Sequence, residues 1–211
     1  MSNPTLAFEG SDAAVTYIDR VQHFLSDELA PLAAEHQISH ERGADKALLQ
    51  RVWKLSHLRG FYGMTLPQSM GGAGFSLVDH ALVKEAIYSS GSPFAPHVLG
   101  ELSGPPRLGA LVKTATPEQM ERLILPVARA EKAICFAITE PEAGSDAGAL
   151  QTRADADGDG FVLNGVKRFI SGSPFCDMAV IIAATDLDKR EASAFFVERE
   201  RPGFRIEAGY K

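Results

Sequence analysis

The 211-residue sequence predicts an α+β protein. A helical N-terminal domain is expected over residues 1–132, followed by an antiparallel β domain over 133–211. Three observations predict it. Before Lys132, apolar residues recur every three or four positions, the period of a helix with one buried face. After Lys132 they gather in short runs rich in Val, Ile and Phe, broken by Gly and Asp, as strands and turns do. Helix-start signals fall in the first part and a hairpin-turn signal in the second.

In chain order, residues 11–40 read as the first helical segment. Val15, Ile18, Val21, Phe24, Leu25, Leu29 and Leu32 form its apolar face. Pro31 is expected to kink or divide it, because proline has no N–H to give to the helix. A second helix fits 44–58, with Leu48, Leu49, Val52, Leu55 and Leu58 turned inward. "LPQSMGGAGFS" (66–76) is a Pro/Gly loop. Ser76 and Asp79 then form a capping box for a helix running to Ser89. "SSGSPFAPH" (89–97) breaks the chain again. Thr116 caps a last helix, with Pro117 in its first turn and Gln119 at its third position; this helix is expected to stop near Pro126. Strands are read in "AICFAIT", "GFVLNGVKRFISG", "MAVIIAAT", "ASAFFVERE" and "GFRIEA". "DADGDGF" supplies the hairpin turn between two of them.

Composition narrows the function. The chain is 45% apolar and 23% charged, which suits a large core and two domains. A net charge of -6 disfavours general binding to nucleic acid. The two cysteines, Cys135 and Cys176, sit in apolar surroundings and read as buried thiols rather than a disulfide framework or metal site. "MSNPTLAFEG" has neither the basic nor the apolar region of a secretory signal. No apolar run reaches the roughly 18 residues of a membrane span. Cytoplasm is the expected location.

Several motifs invite a function and do not support one. "DADGDG" (155–160) imitates the start of a calcium loop, but Val166 stands at the twelfth position, where calcium needs a bidentate Glu. "HQISH" (36–40) lacks the Glu of HExxH and has no evident third ligand. No metal site is expected. "GGAGFS" follows no clear strand and has no phosphate-binding Lys. Ser145 lacks the GxSxG setting of a hydrolase nucleophile. No catalytic residue is assigned to this chain.

Two stretches remain. "CFAITEPEAGSDAG" (135–148) ends an apolar strand in an acidic, Gly-rich turn, and "GVKRFISGS" (165–173) does much the same. Each pairs an aromatic with a hydroxyl: Phe136 with Thr139, and Phe169 with Ser171. A flavin wants this combination of apolar surface, hydrogen-bonding edge and donors for its pyrophosphate. Ordinary strand ends carry it too, and residues alone leave both readings open.

The longer strings resemble the acyl-CoA dehydrogenase family. "GFYGMTLPQSMGGAGFSLVDHALVKEAI" and "ATPEQMERLILPVARAEKAICFAITEPEAGSD" match its N-terminal region, and TEPEAGSD followed by NGxKxxIxG matches its middle domain. The resemblance covers nearly the whole chain, and it implies that the antiparallel β domain over 133–211 is barrel-like and only part of the family's middle domain. It implies FAD as cofactor and oxidation of an acyl-CoA thioester to the trans-2-enoyl-CoA. It implies electron-transfer flavoprotein as a partner, and a homo-oligomer or a completing partner subunit. It places Phe136, Ile138 and Thr139 beside the flavin ring, Ser145 near the pyrophosphate, Phe169 where the family often has Trp, and Ser171 where it usually has Thr. Ser keeps a donor and Phe keeps an aromatic face. The family's C-terminal four-helix domain, which usually carries the catalytic glutamate, has no counterpart in these residues, so the base is expected outside this segment. An acyl-CoA oxidase and a noncatalytic or regulatory flavoprotein subunit are the alternatives. "YSSGSPFAPHVLG" (88–100) is a candidate contributor to an acyl slot.

Overall fold

The computed structural model describes residues 10–109 and 111–207. The chain forms two compact units, residues 1–101 and 102–211. The opening "MSNPTLAFE" lies outside the described residues.

The first unit is helical. α1 (Asp12–His23) starts at Ser11, whose side chain accepts from Ala14 N. It continues through a π-helical turn, Phe24–Leu29, into α2 (Ala30–Glu35). Pro31 therefore divides the segment without breaking it. The division has a plain cause. Proline cannot donate to the carbonyl four residues back, and the turn before it shifts to i→i−5 bonding, with Ala30 N donating to Leu25 O. Inward residues differ in part from the periodic reading: Ala14, Tyr17 and Val21 are buried, while Val15 is 58% exposed. α3 (Lys46–Leu58) is capped by Asp45, which accepts from Leu48 N. Trp53 is buried in it, and Leu58, expected inward, is 78% exposed at its last turn. α4 (Leu77–Ser89) carries the expected Ser76/Asp79 capping box. Asp79 also accepts from Ser11 N at 2.8 Å, fastening the starts of α1 and α4 together. A short α5 (Ala95–Val98) completes the unit. Its core includes Val21, Leu29, Leu49, Val52, Trp53, Phe61, Val83, Ile87 and Phe94.

The second unit begins with short helices, α6 (Leu111–Thr114) and α7 (Pro117–Gln119), the latter with the expected Thr116/Gln119 capping box. A second π-turn, Met120–Ile124, leads into α8 (Leu125–Ala128). Leu125 N donates to Met120 O just before Pro126, the same device as at Pro31. This helical stretch thus runs two residues past the proline at which it was expected to stop.

Five strands follow: β1 (Ile134–Ala137), β2 (Arg153–Asp157), β3 (Gly160–Asn164), β4 (Met178–Asp186) and β5 (Glu191–Glu198). β4 is the hub. β1 runs parallel to it, with Phe136 opposite Val180. β5 runs antiparallel to it from Met178↔Glu198 to Asp186↔Glu191. β2 meets it in parallel at Arg153↔Ala184, and β3 pairs β2 antiparallel. The class is α+β as expected, with a mixed, open sheet. Antiparallel pairing holds for β2–β3 and β4–β5 and fails for β1–β4 and β2–β4. The hairpin rule applies to sequence neighbours; strands joined across an intervening hairpin can return in the same direction.

Two expected strands are shorter or absent. The run expected over 160–172 leaves the sheet after Asn164. Residues 203–207 form no strand, and Ala208 lies outside the described residues. Phe204 and Ile206 instead pack against the buried cluster of Cys135, Cys176 and Ala179. Neither cysteine is in a disulfide, and the Cys135 thiol is pushed up by its hydrogen bond with Cys176 and by burial. "DADGDG" forms the β2–β3 hairpin, with Gly158 at φ 62° in the first loop position. Among the described residues, no helix is long and apolar enough to cross a membrane.

Candidate functional site

The site grows from the C-terminal end of β1. Past Ala137 the strand ladder stops, and Ile138 and Thr139 stand half-buried. Glu140 N donates to Ala143 O at 2.8 Å, closing a turn across Pro141. The Glu140 side chain turns inward and is only 3% exposed. Its carboxylate accepts from Gln151 N at 2.7 Å and Thr152 N at 3.0 Å, which ties the neck of the 140–151 loop. Burial by itself raises this carboxyl, but hydrogen bonds from Lys167, Thr152 and Gln151 outweigh it and hold the group at about 2. Within the loop, Asp146 Oδ1 accepts from Gly148 N at 3.0 Å. Ser145 sits on this loop and is exposed.

The second strip comes from the end of β3. Gly165 presses against Thr152, where a Cβ would overlap that residue. Lys167 is 9% exposed; its ammonium donates to Glu140 Oε1 at 2.7 Å and to Ile138 O at 3.0 Å. Arg168 N donates to Thr139 O at 2.8 Å. These bonds, not sheet pairing, hold the segment in place, which is why it reads as a strand and is not one. Phe169 then adopts φ 59°; the residue is 67% exposed, and the Arg168 guanidinium lies 4.7 Å from its ring centroid. Ser171 is exposed at the start of the next turn. Gly172, at φ 78°, is fixed there because a Cβ would overlap Leu102 O. Beyond it, Arg199 Nη1 donates to the carbonyls of Ser173, Pro174 and Cys176 and fastens the turn.

Of the six residues expected at a flavin, Ile138 and Thr139 are thus brought beside the segment that carries Phe169 and Ser171. Phe136 lies on the same strand as the first pair, half-buried. Ser145 joins them only through the Glu140-tied loop. Among the described residues, no side-chain hydrogen bond engages the hydroxyls of Thr139, Ser145 or Ser171. An exposed ring, exposed Val166 and uncommitted hydroxyls beside half-buried apolar residues match a flat ligand with one apolar face and one polar edge. Lys167 was not marked by sequence reasoning. The signal in the sequence is a pair of adjacent cations, Lys167 and Arg168, inside an otherwise apolar run, with a Glu after a strand end. The 88–100 stretch spends Phe94, Val98 and Leu99 on the core of the first unit. There Trp53 Nε1 donates to His97 Nδ1 at 3.3 Å, and burial pulls the His97 imidazole down to about 4.

The sequence matches the family description "Acyl-CoA dehydrogenase, N-terminal domain" over residues 11–131 and "Acyl-CoA dehydrogenase, middle domain" over 135–211. The chain belongs to the acyl-CoA dehydrogenase family. This is a family of flavoprotein oxidoreductases. Among curated relatives, the caffeyl-CoA reductase-Etf complex subunit CarC of Acetobacterium woodii is 39% identical over 148 residues, covering 68% of this chain and 38% of its own. The mitochondrial short-chain specific acyl-CoA dehydrogenase of Homo sapiens is 34% identical over 185 residues, covering 87% of this chain and 43% of its own. The solved butyryl-CoA dehydrogenase of Megasphaera elsdenii superimposes with a TM-score of 0.73 at 26% identity, covering 94% of this chain and 51% of that one. The chain therefore spans less than half the length of these two curated acyl-CoA relatives.

Proposed function

We propose that the protein carrying this chain oxidises an acyl-CoA thioester to the trans-2-enoyl-CoA with FAD, and that residues 1–132 and 133–211 correspond to the family's N-terminal domain and part of its middle domain. The observation that carries this reading is the Arg168–Thr139 backbone bond, which sets Thr139 beside the segment carrying Phe169 and Ser171. Family membership and acyl-CoA-named relatives support it. Phe136, Ile138, Thr139, Phe169 and Ser171 would line the ring, and Ser145 would serve the pyrophosphate.

In this reaction a base removes the α proton while a β hydride leaves the substrate; bound FAD supplies the two-electron acceptor. This chain orients and shields that acceptor. Glu140 does not serve as the base, because its carboxylate is buried and already takes three hydrogen bonds. The base is assigned outside the described residues. Electron-transfer flavoprotein is the proposed electron partner, supported by the Etf complex named for the Acetobacterium relative. Assembly as a homo-oligomer or with a completing subunit is part of the same proposal. The reverse reaction is the second reading, favoured by that relative's designation as a reductase.

The test is flavin spectroscopy on the full-length protein. Anaerobic addition of acyl-CoA thioesters of varied length and branching is expected to bleach the bound flavin. For the reverse reading, chemically reduced flavin is expected to regain colour on adding an enoyl-CoA. A flavin that responds to neither set would overturn both.

A further inference from the structure

We propose that Lys167 is a positioning residue for the flavin wall, its ammonium locking the end of β1 to the segment that carries Phe169 and Ser171. The inference rests on the FAD reading above and extends it to a residue outside the expected contact set.

The geometry is specific. Lys167 donates to Ile138 O at 3.0 Å and to Glu140 Oε1 at 2.7 Å, bracketing Thr139 on both sides. Arg168 N takes Thr139 O between them at 2.8 Å. Three consecutive residues of one strip are thereby tied to two consecutive residues of the other. Phe169 comes next and holds φ 59°, a backbone state that a side-chain-bearing residue keeps only when its surroundings impose it. The tie through Lys167 is the adjacent constraint.

A pair needed only for stability would be an inefficient choice. Taking two charges out of water offsets most of their attraction, and well-packed apolar replacements of buried pairs are often neutral or better. Glu140 and Lys167 are 3% and 9% exposed. What the pair supplies, and an apolar contact does not, is direction: fixed donor vectors onto one carbonyl and one carboxylate. Thr139 and Phe169 are the residues those vectors place.

The experiment compares FAD affinity and the visible absorption and circular dichroism of the flavin across variants of the full-length protein. The variants are Lys167→Met, Lys167→Arg and the double variant Lys167→Met with Glu140→Gln. The double variant removes both charges, so neither is left buried without its counter-ion. Ser76→Ala, which weakens the α4 cap in the other unit, is the control for loss of stability alone. The expected result is a dissociation constant for FAD raised by about tenfold or more, the scale by which metal affinity falls when residues that orient metal ligands are removed. A shifted flavin spectrum in both Met variants, partial recovery in Lys167→Arg and no shift in Ser76→Ala complete the expectation. Wild-type affinity and spectrum in the double variant would overturn the inference and leave the FAD reading standing. A wild-type protein that takes up no FAD would overturn both.

Discussion

The Lys167 ammonium and the Glu140 carboxylate meet at 2.7 Å although 27 positions separate them in the sequence. Each is nearly sealed from water, so neither is spare. Removing one partner leaves a buried charge without its counter-ion. Glu140→Ala is expected to cost about 3–5 kcal/mol of folding stability. It also strips Gln151 N and Thr152 N of their acceptor. Placing Lys167→Met in the same chain is expected to return part of that loss, a coupling that urea-denaturation midpoints of the four-member cycle would measure. Strict additivity would mean the two groups do not act as a pair.

Acid sensitivity follows from the same carboxylate. Glu140 is held at about 2 in the folded chain, below its ordinary value of about 4.3. The unfolded chain therefore takes up the proton first. The stabilisation is full above the ordinary carboxylate range and is lost as pH falls toward 2. The stability gap between wild type and Glu140→Gln is expected to shrink between about pH 5 and about pH 2. Denaturation midpoints across that range would show it; a gap that stays constant would contradict it.

Two glycines near the site should behave in opposite ways. Gly172 has φ 78° and no room for a Cβ beside Leu102 O. Gly172→Ala is expected to cost about 2 kcal/mol or more, from the backbone conformation and the overlap together. Gly144 is exposed with nothing within 4 Å of a built Cβ. Gly144→Ala is expected to change stability by less than about 0.5 kcal/mol. Thermal unfolding of the two variants checks the contrast.

The sequence announces features whose cause is local. Ser76 with Asp79, Thr116 with Gln119 and the Gly158 turn are each set by residues within three positions, and each was legible. Leu58 and Val15 were misread because periodicity gives a face but not where a neighbouring element ends. The 165–172 segment was misread for a different reason. Val166, Phe169 and Ile170 favour an extended chain by residue type, while pairing depends on partners elsewhere; here Lys167 and Arg168 bind the end of β1 instead of a strand. Parallel pairing of β1 with β4 is equally non-local. Of the candidate site, the two strips were legible and the ammonium joining them was not, because its partners lie 27 and 29 residues away.

Phe169 offers a test that separates function from folding. The residue is 67% exposed, so it contributes little to the core. If the ring were only a surface residue, Phe169→Ala would be silent. If it forms a wall of the flavin site, truncation removes an aromatic face, worth about 1 kcal/mol or roughly fivefold in affinity. Phe169→Ala is therefore expected to weaken FAD binding by about that factor while stability moves by less than about 0.5 kcal/mol. Ser171→Ala, which removes a hydroxyl and little surface, is expected to leave FAD affinity nearly unchanged and to slow flavin reduction by substrate. Flavin fluorescence titration reads the first effect and anaerobic stopped-flow the second. The two variants thus divide the wall into an apolar face that holds the ring and a hydroxyl that serves the reaction. Unchanged affinity in Phe169→Ala would remove the ring from the site, and unchanged reduction in Ser171→Ala would return that hydroxyl to its turn.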